Sequence, residues 1–416
     1  MQEKDRNNIL CVVPSYFPAS KFGGPIQALR SLNLFLSKNG LNIEVVTTNA
    51  GLEINPEYSK KKTIKYLDGI KTTYFSRIKL FDIFNSSGWH FSIPLCLYII
   101  KESKNFDIIY CRSIWNFPTI AAYLAAKIHK KKLIIAATGK LTPWVWSQMT
   151  LKKYIYWWFI AKPIVHSSFI HYVSQEEVDL CHDFHGFSNK PLIIKTGTDK
   201  FYDDNRKEKT NLAINLADSK TIKLLFMGRI HHMKGIDILI DLFGELIEDK
   251  KDVSLIIAGP KDGKYFETIE TLISNKNITS QKVPVKDFLR NSLKNKITFT
   301  GLVEGDEKNW LYSISDIYCH FSRNEGFSNS IIEAMAFSKP VLISEGCYFG
   351  DAKNSKFGDV FKNLDEAKNK INRLILNDDL REEMGKYAFN YIEQNHEWDA
   401  ISKSAVDDIN SLINKI

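Results

Sequence analysis

The sequence predicts an α/β protein made of two doubly wound, Rossmann-like domains that face each other across a cleft. Three observations predict it. The chain has 416 residues, more than one ordinary core holds, so two domains are expected. Short apolar runs alternate with helical stretches through the first half, as in a parallel sheet covered on both faces. The same alternation then starts afresh in the second half.

In the first half, Ile9–Val13 reads as a strand and the breaker-rich PSYFPASKFGGP as a loop. Ile26–Lys38 has helical spacing at Ile26, Leu29, Leu32 and Leu36. Ile43–Thr48, Ile108–Tyr110, Leu133–Ala137 and Ile170–Val173 are further strand candidates. In the second half, Lys223–Met227, Ser254–Ala258, Lys296–Thr300, Ile317–Phe321 and Val341–Ser344 read as strands. Ile236–Leu246, Trp310–Ser315 and Asn329–Ala336 read as helices. The polar stretch Lys195–Lys207 marks the join, so the expected divisions are 1–198, 199–395 and a terminal segment 396–416. No solenoid repeat or low-complexity segment is present.

Composition excludes other classes. With 44% hydrophobic and 25% charged residues, disordered, collagen-like and fibrous readings fall away. Cys11, Cys96, Cys111, Cys181, Cys319 and Cys347 are scattered with no CxxC pair, which fits reduced thiols better than a disulfide framework. The start MQEKDRNN lacks a signal-peptide pattern. Phe91–Ile100 and Tyr154–Ile160 fall short of the roughly 18 apolar residues a spanning helix needs. A cytoplasmic protein is expected, either soluble or resting on the inner face of the cytoplasmic membrane.

Net charge is +8, from 56 basic and 48 acidic residues, and its distribution is uneven. From Ile108 to Gln175 there is no Asp or Glu, while Arg112, Lys127, Lys130, Lys131, Lys132, Lys140, Lys152, Lys153 and Lys162 fall there. So do Trp115, Trp144, Trp146, Trp157 and Trp158, five of the eight tryptophans. This asymmetry points to an anionic surface partner, with WVWSQMTLKKYIYWWFIAK (Trp144–Lys162) suited to a headgroup layer. The alternative is that these aromatic residues fill a core.

In open parallel sheets ligands bind beyond the carboxyl ends of the strands, and three loops of the second half stand there. The loop Gly228–Gly235 (GRIHHMKG) begins and ends in glycine and carries Arg229 and Lys234. It can bring N–H groups and two positive charges onto a diphosphate; the alternative is a solvated turn. The segment Arg323–Ala334 puts Glu325 on a loop, Ser328 at a helix start and Glu333 about one and a half turns inside. A helix N-terminus supplies free N–H groups and partial positive charge. Glu333 interrupts the apolar IIEAMAF and so requires a partner, which two vicinal hydroxyls of a ribose would supply. The alternative makes it a surface charge. The loop Ser344–Phe349 contains Gly346 and could face the same pocket. At the front, Phe22-Gly23-Gly24-Pro25 would let an acceptor or phosphate approach the backbone. The front loop is not GxGxxG and lacks its acidic partner, which argues against an NAD-dehydrogenase, and GxxxxGK[ST] is absent too.

Together, GRIHHMKG, LIIAGP, ITFTGLV and RNEGFSNSIIEAMAFSKPVLIS resemble glycosyltransferase family 4. Glu325 and Glu333 match that family's paired glutamates. The front GGP loop, TGKLTPW, VSQEEVDL, TGTD and the terminal Glu397-Trp398 follow in the expected order, so the resemblance spans nearly the whole chain. It implies a retaining, nucleotide-sugar-dependent glycosyltransferase of the GT-B type. Residues 1–198 would bind acceptor, 199–395 donor, and 396–416 would pack back on the first domain. Arg229 and Lys234 would neutralise the donor diphosphate and Glu325 would meet the donor sugar; these three are the catalytic candidates. Glu333 would bind the ribose, and Phe327, Ser328 and Asn329 would offer N–H groups. Gly23, Gly24, Gly228, Gly259 and Gly326 complete the donor site. Thr138, Gly139 and Lys140 would lie near acceptor or sugar, with Thr138 where the family often has His. The linker Thr196-Gly197-Thr198-Asp199 replaces a frequent Asn-Gly-Val-Asp.

The resemblance further implies a UDP-sugar donor and no metal or other cofactor, because Arg229 and Lys234 take the metal's place. His182 and His185 are spaced i,i+3 but lack a second ligand pair, and His231 and His232 shape the diphosphate loop. The acceptor would be a saccharide, lipid-linked as in bacterial surface polysaccharide assembly (O-antigen, capsule, lipopolysaccharide), and no nucleic acid is expected. Two alternatives stand beside this reading. A non-hydrolysing sugar-nucleotide epimerase would need no acceptor. A catalytically silent GT-B subunit would only bind a partner.

Overall fold

The computed structural model describes residues 7–19, 24–78, 89–187, 191–198, 220–261, 263–290, 296–349, 352 and 356–414. Gly23 and most of the join Lys195–Lys207 lie outside them. The chain divides into two compact units: 1–199 with 397–416, and 200–396.

The first unit is built on an eight-stranded sheet. Its strands are β1 (Asn8–Val13), β2 (Asn42–Thr48), β3 (Lys62–Leu67), β4 (Ile70–Phe75), β5 (Ile108–Arg112), β6 (Lys132–Ala136), β7 (Phe169–Tyr172) and β8 (Pro191–Ile193). They lie in the order β3-β4-β2-β1-β5-β6-β7-β8. Pairing is parallel except between β3 and β4. That antiparallel edge hairpin was not among the strand candidates. It turns at Asp68-Gly69, both with positive φ, the conformation a two-residue hairpin demands.

Alternate residues of each strand feed opposite cores, the period-2 consequence of the pleat. Leu10, Val12, Ile109, Cys111 and Ile135 face one side, with Trp157, Ile164 and the helices Ile93–Glu102 and Phe117–Ile128 packed over them. Ile9, Cys11, Val13, Ile108 and Tyr110 face the other, under the helix Gly24–Lys38. That second layer also holds the last helix, Trp398–Asn414, whose Ala405, Val406 and Ile409 join the same core. Trp398 stacks on Phe35 at 6.0 Å between ring centroids. Gly197 leaves space for this indole, since a Cβ there would stand 2.5 Å from the ring.

The second unit carries a seven-stranded sheet of β9 (Ile222–Met227), β10 (Val253–Ala258), β11 (Thr279–Lys282), β12 (Lys296–Gly301), β13 (Ile317–His320), β14 (Val341–Ser344) and β15 (Gly358–Phe361). The order is β11-β12-β10-β9-β13-β14-β15. All pairings are parallel. Leu225, Met227, Tyr318 and Ile343 line one core, and Leu224, Phe226, Cys319 and Leu342 the other. Burial on both faces explains why these strands read as continuous apolar runs. Short β11 and β15, and the helices Leu364–Leu376 and Asp378–Asn395, were not predicted.

In both sheets the chain winds outward from a central strand in one direction and then the other. The strand order therefore reverses between β1 and β5 in the first unit and between β9 and β13 in the second. The carboxyl ends of those strands are where a doubly wound sheet accommodates ligands. All six cysteines are free thiols. Among the described residues no helix is long and apolar enough to cross a membrane.

The packing of the last helix on the first unit makes a direct prediction. Trp398 is almost fully buried, so Trp398→Ala should destabilise the protein by about 3–5 kcal/mol. Urea denaturation followed by far-ultraviolet dichroism measures this; an unchanged midpoint would contradict the packing.

Candidate functional site

The candidate site of the second unit is assembled from the loops after β9, β13 and β14. The loop after β9 runs from Gly228 to a short 3₁₀ turn, His232–Lys234, closed by Gly235 in the left-handed region (φ 61°). A side chain at Gly235 would collide with the Phe321 carbonyl oxygen, 2.0 Å from the position of its Cβ. Glycine thus lets this loop lie directly against the end of β13. Gly259 performs the same service beside Gly228, whose carbonyl oxygen would be 1.9 Å from an added Cβ.

Hydrogen bonds lace the three loops together. The Arg323 N–H donates to the Met233 carbonyl at 2.8 Å and the Ser322 hydroxyl donates to the same oxygen at 3.1 Å. The Arg323 guanidinium grips Asp237 through two bonds of 2.9 and 2.6 Å and donates to the His232 carbonyl at 2.8 Å. The Glu325 N–H donates to the Gly346 carbonyl at 2.8 Å. Each bond fixes the loops relative to one another rather than to their own helices.

The result brings Lys234 and Glu325, 91 residues apart, into an ion pair in which Glu325 is buried and Lys234 part-buried. His320, fully buried at the end of β13, places Nε2 3.2 Å from Glu325 Oε1. Its Nδ1 is 3.1 Å from the Tyr318 hydroxyl. With the proton on Nε2, the imidazole donates to the carboxylate and accepts from the tyrosine. Burial opposes ionisation of Glu325, but Lys234 and then His320 more than offset it and bring its carboxyl down to about 2. Burial likewise holds His320 below the ordinary imidazole range. Ser328 lies at the N-cap of the helix Asn329–Ala336, and its hydroxyl is 3.3 Å from His320 Nε2.

Glu333 projects from the same helix. Its Oε1 accepts from Lys308 at 2.9 Å and its Oε2 from the Tyr312 hydroxyl at 2.8 Å. The partner demanded by a carboxylate in an apolar helix is therefore present within the chain, on the helix Gly305–Ile314. Arg229 is solvent-exposed beside buried Ile230, while Phe327 packs against Phe349 and His396. Gly326 is partly buried between Glu325 and Phe327. His231 Nδ1 accepts from the Met233 N–H at 3.1 Å, capping the turn that carries Lys234.

In the first unit, Gly24 begins the helix Gly24–Lys38. Thr138 and Gly139 follow β6 with φ of 41° and 75°, and Lys140 is exposed. Buried Glu177 holds this turn: one carboxylate oxygen accepts from the Gly139 N–H at 2.6 Å, the other from the Val173 N–H at 2.9 Å. Burial, only partly offset by these two bonds, pushes its carboxyl up to about 7. His185 Nε2–H donates to the Leu141 carbonyl oxygen at 2.8 Å, and the ring stacks on Phe187. Among the described residues, no group of three or more His, Cys, Asp or Glu could hold a metal.

Sequence reasoning missed His320, Tyr318, Tyr312, Lys308 and Glu177. The Ser-x-x-Glu spacing of Ser174 and Glu177 was the available signal for the last, as a capping box; Ser174 indeed accepts from the Glu177 N–H. Nothing in the spacing of the others distinguishes them from core and surface residues.

Comparison with known proteins agrees with this arrangement. Residues 207–391 match the family model described as Glycosyl transferases group 1. An uncharacterized glycosyltransferase of Methanocaldococcus jannaschii is 26% identical over 339 residues, 76% of each chain. In fold, the chain is similar to Anabaena HepE, crystallised in complex with UDP and glucose, with TM-score 0.71 and 18% identity over 98% of this chain and 100% of that one. It is equally similar to sucrose-phosphate synthase from Thermosynechococcus elongatus, with TM-score 0.71 and 18% identity over 98% and 99% of the two chains.

The buried pair makes the second prediction. Lys234→Met leaves Glu325 uncompensated and should cost about 3–5 kcal/mol of stability at pH 7. Because the wild-type carboxyl titrates far below its ordinary value, the pair stabilises above pH about 4–5 and its contribution fades as pH falls toward 2. The stability gap between wild type and variant should therefore narrow on acidification. A gap that widens would show that the pair does not stabilise the folded state.

Proposed function

We propose, for a glycosyltransferase that belongs to the glycosyl transferases group 1 and has the GT-B fold, that it moves a sugar from a UDP-sugar to a saccharide acceptor with retention of configuration. The observation that carries this reading is the Lys234–Glu325 pair beside the loop bearing Arg229, at the carboxyl ends of β9 and β13. Bond cleavage places negative charge on the departing diphosphate. Preorganised cations in a site of low dielectric stabilise such charge without reorganisation. Lys234, held by Glu325 before substrate arrives, is already oriented, and Arg229 supplies the second charge from the same loop. Glu325 meets the donor sugar, and the first turn after Ser328 offers N–H groups to phosphate. Glu333 binds the ribose hydroxyls while Lys308 and Tyr312 keep its carboxylate fixed. The transfer needs no divalent metal, because Arg229 and Lys234 fill its electrostatic role.

The choice of UDP draws on HepE, which was crystallised with UDP-glucose. In the first unit, the loop Thr138–Lys140 stands near acceptor or sugar. The acceptor is lipid-linked, as in surface polysaccharide assembly, and the first unit docks on an anionic membrane. The support is a surface on one side of its sheet. Ile93, Leu97, Leu124, Ile128, Leu151, Tyr154, Ile155, Trp158 and Phe159 are all exposed there. The helices Ile93–Glu102 and Phe117–Ile128 bury their other faces in one core, and Tyr156 and Trp157 pack against the same core. Lys152 and Lys153 are exposed among them, and Lys162 lies 4.0 Å over the Trp158 ring. Aromatic side chains at headgroup depth with flanking lysines, each worth about 1 kcal/mol at an anionic surface, give a salt-sensitive attachment.

Arg229→Ala or Lys234→Ala should lower turnover by about 2–4 kcal/mol of transition-state stabilisation, on the order of 10²–10³-fold, with activity in wild type surviving excess EDTA. Turnover unchanged in both variants would displace the donor site, and activity lost in EDTA and restored by Mn²⁺ would exclude the metal-free reading. Flotation with anionic vesicles should recover the protein at low salt and lose it at high salt and in Lys152→Glu/Lys153→Glu; equal recovery with neutral vesicles would refute docking.

A further inference from the structure

His320, the last residue of β13, touches the Lys234–Glu325 pair without belonging to it. Its side chain is fully buried. One carboxylate oxygen is shared: Glu325 Oε1 takes the Lys234 ammonium and also lies 3.2 Å from His320 Nε2. The other titratable groups that face the imidazole are Tyr318 from its own strand and Cys347 from the loop after β14. Burial pushes the Cys347 thiol up to about 12 and holds the Tyr318 hydroxyl well above its ordinary value, so both stay neutral. From β9, Phe226 stacks on the ring at 5.4 Å between centroids. Within this cluster Lys234 supplies the positive charge, and the imidazole, kept neutral by burial, supplies none.

The ring nevertheless has partners in place for both of its protonation states. When it is neutral, Nε2–H donates to Glu325 and Nδ1 accepts from the Tyr318 hydroxyl at 3.1 Å. An imidazolium must donate from Nδ1 as well, so the tyrosine oxygen must then accept. The displaced hydroxyl proton needs another acceptor, and the Met227 carbonyl oxygen stands 3.3 Å from that hydroxyl. A histidine that never titrates needs only the first arrangement. Met227 is the last residue of β9, directly before Gly228, so the second acceptor belongs to the element that leads into the Lys234 loop.

A diphosphate arriving at Lys234 competes with Glu325 for the ammonium and brings further negative charge beside a buried carboxylate. Leaving that carboxylate without compensation is strongly unfavourable. We infer that His320 takes up a proton from solvent when a nucleoside diphosphate engages Lys234, and returns it when the diphosphate leaves. The proton goes to Nδ1, and the imidazolium holds Glu325 in place while Lys234 turns to the phosphate. His320 is thus a positioning residue that acts through Glu325. The inference rests on the reading of Lys234 as a diphosphate ligand.

Titration calorimetry of the full chain with UDP at pH 7.5, in buffers of differing ionisation enthalpy, counts the protons exchanged. The terminal phosphate of UDP, with a second pKa of about 6, is already ionised there. The wild type should take up about one proton per UDP. The uptake should vanish in His320→Gln, which keeps a donor for Glu325 but cannot be protonated. Because binding takes up a proton, UDP affinity should fall as pH rises above 7.5, by up to about tenfold per pH unit in the wild type, and stay flat in the variant. A wild-type binding enthalpy that does not depend on the buffer overturns the proposal whatever the variant does. Equal uptake in wild type and His320→Gln gives the proton to another group and also overturns it. Lys234→Ala separates this inference from the reading beneath it. UDP affinity unchanged in Lys234→Ala, or no binding of UDP to the wild type, would refute the donor site and the inference with it. Affinity lost in Lys234→Ala, with no proton uptake in the wild type, would refute the role of His320 and leave the donor site standing.

Discussion

The loops at the carboxyl end of the second unit's sheet depend on one largely buried ion pair. Lys234 and Glu325 come from loops 91 residues apart in sequence, and their contact is possible because Gly235 lets the β9 loop lie against the end of β13. A buried pair is poor evidence of stability in itself, since desolvating two charges offsets much of their attraction. Its value here is positional. The carboxylate also accepts from His320, and the imidazole is in turn fixed by Tyr318. Tyr318 packs against Tyr312, whose hydroxyl holds Glu333. The two glutamates are therefore joined by a chain of side-chain contacts through His320, Tyr318 and Tyr312.

The two units solve the same topological problem with different electrostatics. Both sheets reverse their strand order beside the first strand of the unit, and both place a cation at the carboxyl end of that region. In the second unit the cation is compensated by Glu325 before any substrate arrives. In the first, Arg112 ends β5 and is partly exposed to solvent. Under the proposed function, a compensated cation suits a group whose charge grows during reaction, because the pair can redistribute as that charge develops.

The sequence made much of this legible because parallel strands buried on both faces announce themselves as apolar runs. Strands β9, β10, β12 and β14 and the helix Asn329–Ala336 were read within a residue or two of their ends. The β3–β4 hairpin escaped because its outer strand, KTIKYL, is half-exposed and mixes lysine and threonine with apolar residues, although Asp68-Gly69 was a turn signal. The loops bearing Arg229, Lys234 and Glu325 could be picked out because glycine and charge at strand ends are unusual. The partners of those residues could not. His320 and Tyr318 look like core strand residues, and Lys308 looks like a solvated helix charge, until the register of β13 and the packing of the helix Gly305–Ile314 are known. The same holds for Glu333, whose demand for a partner was evident but whose partners, 21 and 25 residues away, were not.

The central claim is that the loops after β9 and β13 form a single diphosphate-binding surface. Hydrogen–deuterium exchange of the full chain with and without UDP tests it most directly. The account predicts added protection in 228–235 and in 325–333 together, because ligand and the laced loops would be ordered as one unit. Protection confined to one of these segments, or UDP-dependent protection only outside them, would contradict it.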